Sequence, residues 1–205
     1  MSLRLSSLLA VTATAAALTG CIDVDDPEQV GEQEVITTVT LTFTPVGGGT
    51  ALVFSHADPE NDGGPVIEPI ALALETTYDL AVQFKNELSD PAEDITLEVA
   101  DEGDEHQVFV YGSGVEGPAT AANANKLITV AYDDTDENGL PVGLDNSVVA
   151  VAAGTAELKL MLRHLPEEDD VAVKVEGLAG DFANSGSSGI GGDVDADVTF
   201  PLTVE

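Results

Sequence analysis

Glu34-Val-Ile-Thr-Thr-Val-Thr-Leu-Thr-Phe-Thr-Pro45 decides the fold class. Val35, Thr37, Val39, Leu41 and Phe43 fall on one face of an extended chain. Ile36, Thr38, Thr40, Thr42 and Thr44 fall on the other. Strict period-2 alternation of β-branched residues is the signature of a half-buried strand. Similar runs follow at 51–57, 66–74, 77–86, 94–99, 106–112, 126–133, 146–153, 156–164, 171–175 and 196–204, separated by turn residues such as Gly47-Gly48-Gly49 and Asn138-Gly139. Of nine aromatic residues only Phe182 lies away from these runs. No segment after residue 21 shows a sustained helical period. The sequence therefore predicts an all-β, antiparallel β-sandwich of about ten or eleven strands. The Gly-, Ala-, Ser- and Asn-rich stretches 113–125 and 178–192 read as its mobile loops.

The strands also repeat. Ala51–Asp58 aligns with Leu127–Asp134, and the match runs ungapped through Asp58–Val66 over Asp134–Val142. Leu80, Val82 and Phe84 then meet Leu158, Leu160 and Leu162, and Asp94, Ile95, Leu97 and Val99 meet Asp170, Val171, Val173 and Val175. Alternation alone would not bring acids, Gly and Pro into register. The expected organisation is a signal peptide at 1–20, an acidic tether at 21–33, and one sandwich over 34–205 built from five-strand halves at 34–104 and 105–205. Each half alone would bury too little apolar surface to be stable.

Composition narrows the function. The 205 residues hold 38 acidic and 6 basic side chains, a formal charge of -32, with 43% hydrophobic residues. That hydrophobic content builds a core, so the chain is not a disordered acidic tail. The charge excludes a nucleic-acid partner, which would need Lys and Arg against phosphate, and opposes electrostatic docking on anionic lipid. Such charge suits a high-salt environment, where ions screen self-repulsion. A single cysteine excludes a disulfide framework.

Residues 1–21, MSLRLSSLLAVTATAAALTGC, carry Arg4, a short apolar run and the lone cysteine. This reads as an export signal, too short for a full membrane span. Its end, Leu18-Thr19-Gly20-Cys21, resembles the lipobox of bacterial lipoproteins. The resemblance implies that Cys21 is lipidated and becomes the first residue of the mature chain, held in the membrane by several acyl chains. Ile22 follows the cysteine, unlike the Asp of inner-membrane retention signals. The acidic cluster after it is similar to the surface-export signal of some lipoproteins, or is simply a charged tether. The expected location is the outer membrane, facing periplasm or cell surface.

Two aligned loops are candidate calcium sites. Asp134, Asp136 and Asn138 precede Gly139, with Asp145 eleven residues after Asp134; Asp58, Glu60 and Asp62 precede Gly63. Oxygen side chains at alternate positions of a tight loop suit Ca²⁺. The alternative is that Asp, Asn and Gly are ordinary turn residues there. Asp193, Asp195 and Asp197 alternate on the last strand and read as a solvated face. The three histidines, His56, His106 and His164, sit at strand ends without metal-binding spacing. No nucleophile elbow and no phosphate-binding Gly loop is present.

Four segments, EVITTVTLTFTP (34–45), SDPAEDIT (89–96), GDEHQVF (103–109) and VTFPLT (198–203), are similar to a group of small bacterial lipoproteins of unknown function. Some members carry the label "type 1 periplasmic binding fold", which implies an α/β solute-binding protein. The strand pattern stands against that label. The resemblance implies no catalytic residues and no certain cofactor. The sequence thus points to a non-enzymatic, lipid-anchored envelope module with a binding or structural role and an unknown ligand. A calcium-stabilised adhesion or carbohydrate-binding module is the alternative; a solute-binding-type protein or a hydrolase stands behind it.

Overall fold

The computed structural model describes residues 34–167 and 171–205, which belong to one compact unit. The signal peptide, Cys21 and the tether lie outside the described residues. Among the described residues twelve strands form two sheets: β1 (Thr38–Pro45), β2 (Leu52–Ala57), β3 (Val66–Ile67), β4 (Ile70–Leu72), β5 (Thr77–Asn86), β6 (Glu93–Asp94), β7 (His106–Tyr111), β8 (Val115–Glu116), β9 (Ile128–Tyr132), β10 (Asp145–Ala150), β11 (Gly154–His164) and β12 (Asp193–Val204). The larger sheet runs β3-β2-β1-β5-β10-β9-β8, with β6 on β5; the smaller runs β4-β12-β11-β7. The chain is thus an all-β sandwich. Among the described residues there is no alternation of helices with parallel strands such as a periplasmic binding fold requires.

Alternation explains the core. Val39, Leu41 and Phe43 on β1 and Tyr78, Leu80, Val82 and Phe84 on β5 point from the larger sheet into the interior. Leu158, Leu160 and Leu162 on β11 and Val198, Phe200 and Leu202 on β12 meet them from the smaller sheet. The Phe43 and Tyr78 rings meet edge to face, 6.0 Å apart, an arrangement the ring quadrupoles favour.

Three strand expectations are corrected. The run 66–74 is two strands, because Pro69 breaks the ladder and the chain crosses from the larger sheet (β3) to the smaller (β4). The run 94–99 is a helix, α1 (Ile95–Asp101), with Asp94 as its N-cap accepting from the Thr96 N–H at 3.2 Å. Ile95 and Val99 fit either period; the helix buries both and leaves Leu97 66% exposed. Thr96 Oγ1 accepts from the Phe84 N–H at 2.9 Å and donates to its carbonyl, locking α1 to β5. The run 171–175 forms no strand: Val171 and Val175 are exposed and Lys174 is buried. The repeat alignment of 94–99 with 170–175 therefore pairs a helix with an irregular segment, and Asp170 lies outside the described residues.

The two presumed loops also carry buried structure. Residues 113–125 include β8 and the buried Val115 and Ala119. Residues 178–192 include a second helix, α2 (Leu178–Ser185), and a 3-10 turn (Ser187–Gly189). Leu178, Ala179 and Phe182 on α2 cover Phe109, Met161 and Leu165 on the outer face of the smaller sheet. Phe182 stacks on Phe109 with centroids 4.6 Å apart. Arg163 holds the covering segment, its Nη2 donating to the carbonyls of Ser187, Ile190 and Gly191 at 3.3, 3.0 and 2.7 Å.

Candidate functional site: a buried carboxylate–histidine cluster

His106 opens β7 and His164 closes β11. The antiparallel register places them directly opposite each other. Parity on both strands sends them inward, with Val108 and Val110 below one and Leu162 below the other. Their rings stack 4.7 Å apart at 5°. The third element is β12. Leu162 pairs with Ala196 and Arg163 with Val194, so Asp195 is an extra residue in a β-bulge. Val194 consequently packs with the outer cluster while Ala196 and Val198 face the main core. The bulge puts Asp195 on the inner side too. Its side chain is 0% exposed, which corrects the expectation of a solvated Asp193–Asp195–Asp197 face. Bulges often re-aim side chains in this way at functional sites. Asp193 and Asp197 remain exposed, and Asp197 Oδ1 accepts from the Tyr111 hydroxyl at 2.9 Å.

Glu34 completes the cluster from the segment leading into β1. Its Oε1 lies 3.0 Å from His106 Nε2, and Asp195 Oδ2 lies 4.0 Å from the same nitrogen. The other nitrogen, His106 Nδ1, lies 3.1 Å from the Glu102 carbonyl. A carbonyl only accepts, so Nδ1 carries the hydrogen. Glu105 Oε2 approaches His164 Nε2 at 3.6 Å. Ligand atoms of Glu34, Glu102, His106 and His164 all lie within 4.8 Å of one another.

The electrostatics follow from crowding. Burial raises the Glu34 carboxyl, but the His106 hydrogen bond and charge outweigh it and hold Glu34 well below the usual carboxylate range. Burial and the neighbouring Glu34 charge push Asp195 far up. His106 is raised: burial works against its charged form, but Glu34 overcomes it. Two carboxyls this close do not both ionise in a dry site. Glu34 and Asp195 share a hydrogen bond, for which the raised Asp195 carboxyl keeps its proton. A cleft of about 180 Å³ between β1, β2 and β12 reaches the cluster, lined by His56, Asp58, Asp195 and Asp197 among others.

The two loops proposed for calcium lie elsewhere and are closed by their own amides. Asp134 accepts the N–H groups of Gly143, Leu144 and Asp145 at 2.7, 2.7 and 3.1 Å. Asp136 Oδ1 accepts those of Asn138 and Leu140, and Oδ2 lies 2.8 Å from Lys174 Nζ. Asn138 and Asp145 are exposed. In the other loop Asp58 accepts from the Asp62 and Gly63 N–H groups, Asp62 accepts from Gly64, and Glu60 is exposed. This is how Asp stabilises turns.

Spacing along the chain could not reveal the cluster: the two histidines that one register pairs, His106 and His164, are far apart in sequence. The signal that existed was local, a histidine at the first position of one strand and at the last of another.

Comparison with protein-family models gives no match, and comparison with curated proteins gives none. Among solved structures the chain is similar to domains 4 and 5 of the S-layer protein SbsC. The TM-score is 0.30 and the identity 13%, over 80% of this chain and 75% of that one. Among the described residues, no helix is long and apolar enough to cross a membrane.

Proposed function

We propose that the protein is a lipid-anchored module of the bacterial cell envelope, with a binding or structural role and no reaction of its own. The observation that carries this reading is the lone cysteine of the chain standing at position 21, directly after Leu18-Thr19-Gly20. The surface supports it. Of the six basic residues, Arg4 lies in the signal, and Arg163 and Lys174 are buried. Only Lys85, Lys126 and Lys159 are left to offset the acids on the folded surface. Such a surface is repelled by anionic headgroups, and the acyl chains hold the domain at the membrane without contact.

A carboxylate pair with opposed shifts beside a histidine is also what acid–base catalysis uses. Here Asp195 and His106 have fully buried side chains, which supports a holding role over a reacting one. The test is metabolic labelling with a fatty-acid analogue in a bacterial host, followed by membrane fractionation. The wild-type chain takes up label and sediments with membranes, and Cys21→Ser does neither. A labelled Cys21→Ser chain, or an unlabelled wild type, would overturn the proposal.

A further inference from the structure

We infer that the cluster where β7 begins and β11 ends is a metal site. It takes one divalent transition cation, zinc by its chemistry, between His106, His164 and Glu34, with Asp195 and Glu102 as the flanking oxygen donors.

Three observations carry this, and the first is the hydrogen-bond direction at His106. Nδ1 donates to the Glu102 carbonyl, which leaves Nε2 facing Glu34 Oε1 at 3.0 Å. Without a cation, the proton that His106 holds lies between them, and a cation that displaces it takes the Nε2 lone pair and the carboxylate together. A backbone carbonyl fixing one nitrogen while the other faces a cation is the usual support of a metal-bound histidine. The second is Asp195. Its fully buried carboxyl lies 4.0 Å from the His106 nitrogen that Glu34 also meets, which brings two carboxyls to one point, an arrangement a cation stabilises. Its strand spends a bulge to put it there. The third is the donor set. Two imidazoles with carboxylates match zinc and its neighbours, whereas calcium and magnesium prefer oxygen alone. The four converging ligand atoms lie within 4.8 Å of one another. Tetrahedral zinc, with bonds of about 2 Å, separates its ligands by about 3.3 Å. The side chains therefore draw in slightly on loading, and the cleft beside His56 and Asp195 gives the ion a way in.

The experiment uses the mature lipidated chain in detergent micelles, stripped with chelator and titrated with Zn²⁺. The imidazole signals are followed by NMR. Only three histidines exist, and a His56→Gln variant assigns the third. The His106 and His164 signals should shift together and saturate at one ion per chain, while His56 stays. Asp195→Asn, nearly isosteric, should weaken binding about tenfold to a hundredfold. A tenfold excess of Ca²⁺ should not displace the zinc. The site is refuted if neither His106 nor His164 shifts, if Asp195→Asn binds as tightly as wild type, or if Ca²⁺ displaces the ion. The wild-type titration stands by itself should the variant fail to fold.

Discussion

Replacing Lys174 with Met should destabilise the domain by about 3 kcal/mol. Lys174 Nζ donates to the Gly103 carbonyl at 2.6 Å and pairs with Asp136 Oδ2 at 2.8 Å, both side chains being 1% exposed. Breaking one side of a buried ion pair costs about 3–5 kcal/mol, because it strands a buried charge. Asp136 keeps the Asn138 and Leu140 N–H groups, which places the loss at the lower end. At about 2–4 °C per kcal/mol for a domain of this size, the melting point falls by about 6–12 °C. Burial raises the Asp136 carboxyl, but Lys174 and the two amides outweigh it and hold it below its ordinary value. A group depressed on folding contributes stability above its unfolded value and loses it as the pH falls through its folded value. The gap between wild type and Lys174→Met therefore narrows below about pH 4. Burial lowers Lys174 despite the pull of Asp136, so burying the ammonium costs more than its partner returns. An apolar pair, Lys174→Met with Asp136→Leu, should thus recover most of the loss. Urea denaturation of the three chains at two pH values measures all of this. A single-variant loss under 1 kcal/mol, or a gap that widens in acid, would rule out a buried, charged Lys174–Asp136 pair.

Other outcomes follow from the same contacts. Phe182→Ala should cost about 3 kcal/mol or more, and hydrogen exchange should rise mainly over residues 178–191, because Phe182 fastens α2 to Phe109 and Tyr111. Uniform exchange changes would contradict that. Calcium added to chelator-treated protein should leave the melting point unchanged, because the amides of both acidic loops already bond Asp58, Asp134 and Asp136; a clear rise would make those loops calcium sites. Sodium chloride should raise the melting point steadily from low ionic strength, since ions screen the repulsion within a chain of charge -32. A flat salt response would remove self-repulsion from the account.

The legible parts of the fold were those where one period dominates. Thr77–Asn86 alternates cleanly and is strand β5 over its whole predicted length. The segment 94–99 was ambiguous because apolar residues at 95, 97 and 99 satisfy a strand while 95 and 99 satisfy a helix; only Asp94 at the N-cap favoured the helix. Val-Ala-Val-Lys-Val at 171–175 misled because the buried member is the lysine, and its partner Asp136 sits in a distant loop. Helix α2 hid behind Gly, Ala, Ser and Asn, although Phe182, the aromatic with no strand to serve, marked it. The cluster was least legible. It depends on the register of β7 against β11 and on one bulge residue, and both are properties of pairing between strands.

The proposed tie of this sandwich to the envelope through lipid on Cys21 is tested most directly by the intact mass of the protein purified from a bacterial host membrane. The expected mass is that of residues 21–205 plus a diacylglyceryl group and a further acyl chain. An uncleaved chain, or one cleaved without added lipid, would contradict it.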